Sequence, residues 1–296
     1  MSFPANVGVM LVAHGTVENL DDLGAFVARI RQGRPAPPGL VEELRHRYEA
    51  IGGSSPLLST TRQQAQALAQ HLEAPVLVAM RLWQPGVEQA LAAATALGLR
   101  RLVVIALAPF SQHIYFDAAV KVAAAEKSSI ELVPSAPYAE EPAFVAAHVE
   151  AIRRHAGPDA AIVLSAHSLP RVVIQRGDPY ARLFEALAAA VAAGLARPIR
   201  VCYQSQGADG GDWLGPTVRE TLTALAAEGR RQVVWAPVGF LADHVETLYD
   251  LDVEASAIAK ELSLSFVRVP ALNVHPGLTA TLGAVAIRSI SAKAPG

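Results

Sequence analysis

The 296-residue chain has a single cysteine, Cys202, and this scarcity excludes several kinds of site. One thiol cannot build a disulfide framework within the chain, a cysteine-based zinc site or an all-cysteine iron–sulfur cluster. An excess of charge of one sign is also missing, since 25 Lys and Arg stand against 27 Asp and Glu. This balance gives no reason to expect nucleic acid as a partner.

A long hydrophobic run is missing as well. Residues 1–15 lack a basic start, and their apolar stretch is too short for a signal peptide or a membrane span. The alanine-rich residues 183–195 lie between Arg182 and Arg197 and are too few to cross a bilayer, so we expect a buried helix there. Because 52% of the residues are hydrophobic, a sizeable core is expected. We expect a soluble, cytoplasmic protein without stable membrane insertion; its oligomeric state is open, with a monomer favoured.

Eight short apolar runs alternate with helix-length segments rich in Ala, Leu, Glu and Gln. Uniformly apolar strands separated by helices are typical of parallel sheets that are covered on both faces. The predicted strands read VGVMLVA, PVLVAM, LVVIALAP, IELVPS, AIVLSA, IRVCY, QVVWAPV and LSFVRVP.

The order of these elements occurs twice. VGVMLVAHGT is matched by AAIVLSAHSLP in the second half, and VVIALAPFSQH is matched by VVWAPVGFLADH. Each half therefore has one histidine after its first strand, His14 or His167, and one after its third, His113 or His244. The repeat predicts an α/β protein of two similar Rossmann-like lobes that face one another, each a parallel sheet flanked by helices. Ligands of open parallel sheets bind at the carboxyl ends of the strands, where these histidines fall.

The first half is longer than the second. His14 and Pro75 are 61 residues apart, whereas His167 and Pro198 are 31 apart, so the first half carries an insertion of about 30 residues (61 − 31) within residues 16–60. Insertions on such a scaffold usually serve the ligand. We place the N-terminal lobe at residues 1–145 plus 270–296 and the C-terminal lobe at 146–269.

Three acidic residues, Glu246, Asp250 and Glu254, are spaced by four, so on a helix they form one stripe. Asp243 precedes them as a plausible N-cap. Facing a pocket, the stripe would suit a divalent cation; on the surface, it would be a solvated acidic first turn favoured by the helix dipole. We interpret the neighbouring His244 as structural rather than functional.

His167 also allows two interpretations. It is either a core histidine that donates to a neighbouring carbonyl, or a base and metal ligand. The repeat-matched His14 and the acidic stripe favour the second, because imidazole with carboxylate suits both proton abstraction and a transition-metal cation.

Several motifs resemble the ferrochelatase family. SAHSLP, GDPY, QSQ…WLGP, PVGFLADHVETLYDLDVE and PALNVHP follow in the family's order in the second half, and IRQGR and RYEAIGGSSPL lie in the first. The resemblance implies a class I chelatase-like fold and a lyase of haem biosynthesis that inserts Fe²⁺ into a porphyrin. It implies no cofactor beyond the Fe²⁺ substrate and no iron–sulfur cluster. The chain is most similar to the compact, soluble Gram-positive-type enzymes, which favours coproporphyrin III and leaves protoporphyrin IX possible.

The resemblance also implies roles for residues of the second half. His167 and Glu246 match the family's catalytic and metal-site pair. Asp250 and Glu254 match the acidic helix that is proposed to pass Fe²⁺ inward.

In the first half, the porphyrin-binding positions of the family fall on Arg31, Arg47, Tyr48 and Ser55, within the insertion that forms the porphyrin-covering lip. Arginines can bind the propionates of a porphyrin bidentately. From the residues alone, the arginines could equally be solvated surface, and Tyr48 and Ser55 could be packing and turn residues.

His14 departs from the family, which usually has tyrosine there as an axial group below the macrocycle. The VAHGT segment instead looks like the start of the small sirohydrochlorin chelatases. We expect His14 to bind substrate as an axial ligand; alternatively, it hydrogen-bonds the loop around Gly15. The alternative functions are a sirohydrochlorin cobalto- or ferrochelatase and a non-catalytic tetrapyrrole or metal carrier.

Overall fold

The computed structural model describes residues 3–207 and 211–291. They form two compact units: the first comprises the described residues up to Tyr138 and those from Asn273 onward, and the second comprises Ala139–Leu272. The sequence repeat placed the corresponding breaks after residues 145 and 269.

The first unit contains a four-stranded parallel sheet in the order β2-β1-β3-β4. Its strands are β1 (Val7–Ala13), β2 (Val76–Met80), β3 (Arg101–Ala106) and β4 (Glu131–Pro134). Its helices are α1 (Leu23–Ile30), α2 (Leu40–Ala50), α3 (Leu57–Leu72), α4 (Val87–Ala96), α5 (Gln112–Ala125) and α12 (Pro276–Ser291).

The second unit repeats this sheet in the order β6-β5-β7-β8, again all parallel. Its strands are β5 (Ala161–His167), β6 (Ile199–Gln204), β7 (Gln232–Ala236) and β8 (Ser265–Arg268). Its helices are α6 (Pro142–Arg153), α7 (Arg171–Gln175), α8 (Tyr180–Leu195), α9 (Val218–Ala227), α10 (Val245–Thr247), a π-helix (Leu248–Ala255) and α11 (Ser256–Glu261). The predicted fold class and the eight predicted strands are therefore confirmed.

The extra length of the first unit consists of helices. Between β1 and β2 lie α1, α2 and α3. The matching connection between β5 and β6 holds two helices, α8 and the short α7. Helices α1 and α2 fall inside residues 16–60, where the sequence predicted the insertion.

The alanine-rich helix corrects one prediction. Helix α8 buries only one face, through residues such as Phe184, Leu187 and Val191, while Glu185 and Ala193 on its other side are exposed. It is thus an amphipathic surface helix rather than a fully buried one, because small alanines fill the exposed face without adding a large apolar surface. Among the described residues, we find no helix with the length and apolarity needed to cross a membrane.

The central strand of each sheet points alternate side chains to opposite faces. On β5, Val163, Ser165 and His167 share one face, and α9 with the helical segment 248–261 packs over its apolar part. On β1, Met10 and Val12 share the equivalent face under α4 and α5. His14 follows β1 directly, and His167 is the last residue of β5.

Candidate active site

His167 and Glu246, the predicted pair of the second unit, meet at the edge of the sheet where its strands end. His167 ends β5, and Glu246 lies in the short helix α10 that follows β7. The Nδ1 atom of His167 lies 3.0 Å from Oε2 of Glu246, and the two side chains are 34% and 32% exposed. This hydrogen bond turns Nδ1 toward the protein, which leaves Nε2 as the ring nitrogen that can meet a substrate.

Opposing effects set the charge of His167. Burial lowers the pKa of its imidazole, but the charge and hydrogen bond of Glu246 and the charge of Asp250 raise it, and the net direction is upward. Because the protonated ring is favoured beside these carboxylates, His167 is a stronger base than an isolated histidine.

His244 approaches the same carboxylate oxygen. Its Nε2 is 3.9 Å from Oε2 of Glu246, and its ring packs against Phe240 with centroids 5.0 Å apart. Burial lowers the pKa of His244 more than the charges of Glu246 and Asp243 raise it. The pKa of His244 is thus shifted in the opposite direction to that of His167, although both imidazoles approach Glu246.

Asp243 is not the N-cap that the sequence predicted, because His244 occupies that position. Its Oδ1 instead accepts hydrogen bonds from Arg268 at 2.7 Å and from the Thr247 hydroxyl at 3.2 Å. Arg268 also donates through Nε and Nη2 to both carboxylate oxygens of Asp252, at 2.7 and 2.9 Å. The guanidinium, only 11% exposed, thus joins two points of the segment that carries Glu246.

The three residues of the acidic stripe differ in burial. Glu254 is exposed, Asp250 is buried and accepts a hydrogen bond from the Ser205 hydroxyl, and Glu246 is half-buried. The backbone from Leu248 to Ala255 is a π-helix, not the α-helix that the spacing assumed. Its i→i+5 bonds widen each turn, so residues four apart fall just short of a full turn instead of just past it. Within the described ranges, no three His, Cys, Asp or Glu side chains are grouped to hold a metal ion.

The first unit holds a second imidazole at the matching place. His14 is exposed, and its Nδ1 lies 3.3 Å from the hydroxyl oxygen of Tyr115 on α5. Tyr115 is buried, and the guanidinium carbon of Arg81 lies 5.2 Å from the centre of its ring. The sequence interpretation missed Tyr115, although the repeat offered a signal: Tyr115 follows His113 by two residues, as Glu246 follows His244.

The two predicted porphyrin-binding arginines lie on the inserted helices. Arg31, at the end of α1, donates through Nε to the Pro35 carbonyl at 2.9 Å. Arg47, on α2, is 2.7 Å from a carboxylate oxygen of Glu43, in a pair with 27% and 54% exposed side chains. Both guanidinium groups therefore stand at or near the surface of the first unit.

The two uncharged positions predicted to bind porphyrin lie deeper. Tyr48 is 1% exposed, and its hydroxyl is 2.8 Å from the Thr16 hydroxyl. Ser55 is buried and accepts a 3.4 Å hydrogen bond from the Leu57 amide. These contacts favour the packing and turn roles that the sequence left open, and porphyrin binding by these two side chains stays a prediction.

The sequence model of the ferrochelatase family matches residues 6–290. The chain belongs to the ferrochelatase family. It is accordingly a lyase of haem biosynthesis that inserts Fe²⁺ into a porphyrin, so the family predicted from the motifs is confirmed.

Curated members of the ferrochelatase family are similar along nearly the whole chain. A ferrochelatase of Acidobacterium capsulatum is 36% identical over 94% of this chain and 93% of its own. A ferrochelatase of Thermus thermophilus is 38% identical over 90% and 94%. The coproporphyrin III ferrochelatase of Geobacillus kaustophilus is 34% identical over 95% of both chains.

Solved structures share the fold of this ferrochelatase-family chain at low sequence identity. SirB from Bacillus subtilis with Fe³⁺ superposes with a TM-score of 0.61 at 15% identity, covering 96% of this chain and 95% of the other. CbiX, the terminal enzyme for siroheme biosynthesis in denitrifying bacteria, gives a TM-score of 0.55 at 16% identity, covering 98% and 100%. At these identities the likeness shows the chelatase fold alone.

Proposed function

We propose that the protein metallates coproporphyrin III, with His167 and Glu246 as its catalytic pair. The 3.0 Å hydrogen bond between these two side chains carries the proposal. Relatives that are named coproporphyrin III ferrochelatases and are 31–34% identical support this porphyrin. So do the arginines of α1 and α2, since coproporphyrin has four carboxylates to bind and protoporphyrin has two.

His167 acts as the base in this proposal. Insertion of Fe²⁺ displaces two protons from the pyrrole nitrogens, and one porphyrin and one Fe²⁺ give one iron porphyrin and two protons. With Nδ1 held by Glu246, Nε2 accepts a pyrrole proton, and the carboxylate stabilises the imidazolium that forms. Binding of the propionates away from the ring centre supplies energy to hold the ring ruffled, so that its nitrogen lone pairs meet the incoming ion.

The acidic stripe supports an entry path for the iron substrate, because it leads from exposed Glu254 to Glu246 beside His167. Exposed Glu254 meets Fe²⁺ first, buried Asp250 receives it, and Glu246 delivers it beside His167. Carboxylate oxygens suit a hydrated divalent ion, and imidazole suits iron at the end of the path. We further propose that Fe²⁺ is a substrate only, and that the reaction uses no cofactor and no iron–sulfur cluster.

The test is anaerobic turnover with three tetrapyrroles. The purified protein is mixed with Fe²⁺ and, separately, coproporphyrin III, protoporphyrin IX and sirohydrochlorin, and metallation is followed by the change in absorption bands. The highest kcat/KM is expected with coproporphyrin III. Faster metallation of protoporphyrin IX would contradict the porphyrin assignment but not the catalytic pair.

His14 favours one second candidate, insertion of cobalt or iron into sirohydrochlorin, because it presents an exposed imidazole after β1. Preferred turnover of sirohydrochlorin in the same assay would establish that alternative. Binding of a tetrapyrrole without turnover of any of the three would instead indicate a carrier.

A further inference from the structure

A chain of buried hydrogen bonds leads from the core of the second unit to Glu246. The indole Nε1 of Trp235 donates to the Ser165 hydroxyl at 2.8 Å, and that hydroxyl donates to Oε1 of Gln204 at 2.6 Å. The amide Nε2 of Gln204 then donates to the main-chain carbonyl of Glu246 at 2.9 Å. We infer that Gln204 is a positioning residue: it fixes the backbone of Glu246 and thereby sets where that carboxylate meets His167. The inference rests on the proposed role of the His167–Glu246 pair.

The register of the strands places the side chains that form these hydrogen bonds, those of Trp235, Ser165 and Gln204, on one face of the sheet. Residues paired across parallel strands point to the same side, and residues two apart on one strand do so too. Trp235 is paired with Val163, and Gln204 is paired with His167, while Ser165 lies between Val163 and His167 on β5. Gln204 therefore stands next to His167 and reaches the loop after β7.

The donor and acceptor atoms of these side chains allow the hydrogen bonds to run in only one direction. An indole nitrogen can donate but cannot accept, so the hydroxyl of Ser165 must accept from Trp235 and has its single proton left for Gln204. That proton requires the carbonyl oxygen of the Gln204 amide, which turns the amide nitrogen toward Glu246. Gln204, Ser165 and Trp235 are at most 1% exposed, so water does not compete for these bonds.

The first unit shows that the fold itself does not need this series of hydrogen bonds. Val12 lies two residues before His14, as Ser165 lies before His167, and Val104 is paired with Met10 as Trp235 is paired with Val163. Met80 is paired with Ala13, and the next residue, Arg81, has the position in the first unit that Gln204 has in the second. Two valines and an arginine thus fill the matching positions. Two of the three positions are apolar in the first unit, so the sheet can pack without these hydrogen bonds, and their presence in the second unit, where they end at Glu246, indicates a task beyond packing.

The variant Gln204→Met tests the inference because it keeps the length of the side chain and removes its amide. Partners that orient a metal-site ligand typically contribute about 10-fold to 100-fold to activity, and we expect kcat to fall by that factor while KM for the porphyrin is unchanged. In a Glu246→Ala background the same change should cause no further loss, since Gln204 acts through Glu246. A loss of kcat in that background equal to the loss in the wild type would overturn the inference.

Thr221→Val is the matched control. Its buried hydroxyl donates to the Thr217 carbonyl at 2.8 Å within α9, away from Glu246, and its loss should leave kcat unchanged in both backgrounds. If Gln204→Met does not fold, Ser165→Ala replaces it, because it frees the Gln204 amide from its fixed orientation.

A second readout does not depend on turnover. The carbonyl ¹³C resonance of Glu246 should move when its hydrogen bond is lost in Gln204→Met or Ser165→Ala, but not in Thr221→Val. A wild type without turnover would contradict the proposed function, whereas an unmoved Glu246 resonance would contradict the positioning role of Gln204.

Discussion

In the first unit, the imidazole of His14 meets a phenol, Tyr115, at 3.3 Å; in the second, the imidazole of His167 meets a carboxylate, Glu246, at 3.0 Å. His14 directly follows β1 and His167 ends β5, and their partners come from the helices that follow the neighbouring strands β3 and β7. The backbone is repeated, but in the second unit the partner of the imidazole is a carboxylate. The repeated scaffold therefore presents two imidazoles that differ in their hydrogen-bond partner.

The two units also differ in the segments that connect their strands. The first unit adds α1 and α2 after its histidine, and these helices carry Arg31 and Arg47. The second unit keeps a short connection and places its acidic residues on the segment after β7. The predicted porphyrin-binding arginines thus lie on the first unit and the acidic stripe on the second, which fits the proposed binding of propionates by the first unit and the proposed proton and metal chemistry of the second.

The largest expected effect comes from removing the imidazole of His167, compared with removing that of His14. His167→Ala should lower kcat by at least about 100-fold, the usual scale for a lost general base, while porphyrin binding persists. His14→Ala should still permit insertion, because the proposed base is His167. Anaerobic assays of both variants measure the difference, with the exposed and distant His155→Ala as control. Equal losses in the first two variants would show that the units share the chemistry.

A second effect concerns pH. The carboxylate of Glu246 raises the pKa of His167, so in the wild type the rate should rise with pH only as the ring loses its proton at that raised value. Glu246→Gln removes the charge, and the acidic limb of the kcat/KM profile should move to lower pH even though the maximum rate falls. Tyr115→Phe, the matching change in the first unit, should leave the limb in place. An unmoved limb in Glu246→Gln would mean that another group is the base.

The raised pKa of His167 also determines in which direction the stability of the fold changes with pH. Because the folded-state pKa of His167 is raised, its pairing with Glu246 stabilises the fold fully below the unfolded-state pKa of histidine, and this contribution is lost as pH rises through the folded value. Urea unfolding of wild type and Glu246→Gln across this range should show a difference that shrinks as pH rises.

A smaller effect is expected from the arginines of the first unit. A charge-assisted hydrogen bond contributes about 1.5–3 kcal/mol, so Arg31→Ala or Arg47→Ala should weaken coproporphyrin III binding by roughly tenfold or more. Protoporphyrin IX, with two carboxylates fewer, should lose less. Fluorescence titration of both porphyrins measures the ratio, and equal losses would mean that these arginines face other groups.

The smallest effect is spectroscopic. If His14 is an axial ligand of the product, His14→Ala should shift the Soret band of the iron porphyrin complex, and His14→Tyr should weaken product binding. Turnover should change little unless product release limits it. Identical bands in the wild type and His14→Ala would show that this imidazole does not bind iron.

The sequence predicted the fold well because its signals are local. The eight strands were readable as short apolar runs, and the repeat of histidines at the ends of β1 and β5 was readable as an order of motifs. The meeting of His167 with Glu246, 79 residues apart, was proposed from family motifs rather than from periodicity.

The missed contacts depend on register and packing that no local pattern encodes. Tyr115 reaches His14 across 101 residues, and Arg268 on β8 reaches back to Asp243 and Asp252. The i, i+4 spacing assumed an α-helix, but the backbone from Leu248 forms wider turns. Burial of Tyr48 likewise follows from how α2 packs, since its sequence motif reads equally well as a surface loop.

The guanidinium of Arg268 binds Asp243 on one side of Glu246 and Asp252 on the other, and so closes residues 243–252 into a ring. A ring this short has little loop-closure entropy left to lose, so ordering Glu246 costs less than ordering a residue on an open loop. Its amides should exchange with solvent together, in a single opening event, rather than one at a time from a fraying end. A lysine at 268 carries one ammonium group in place of the forked guanidinium and would leave that ring open on one side.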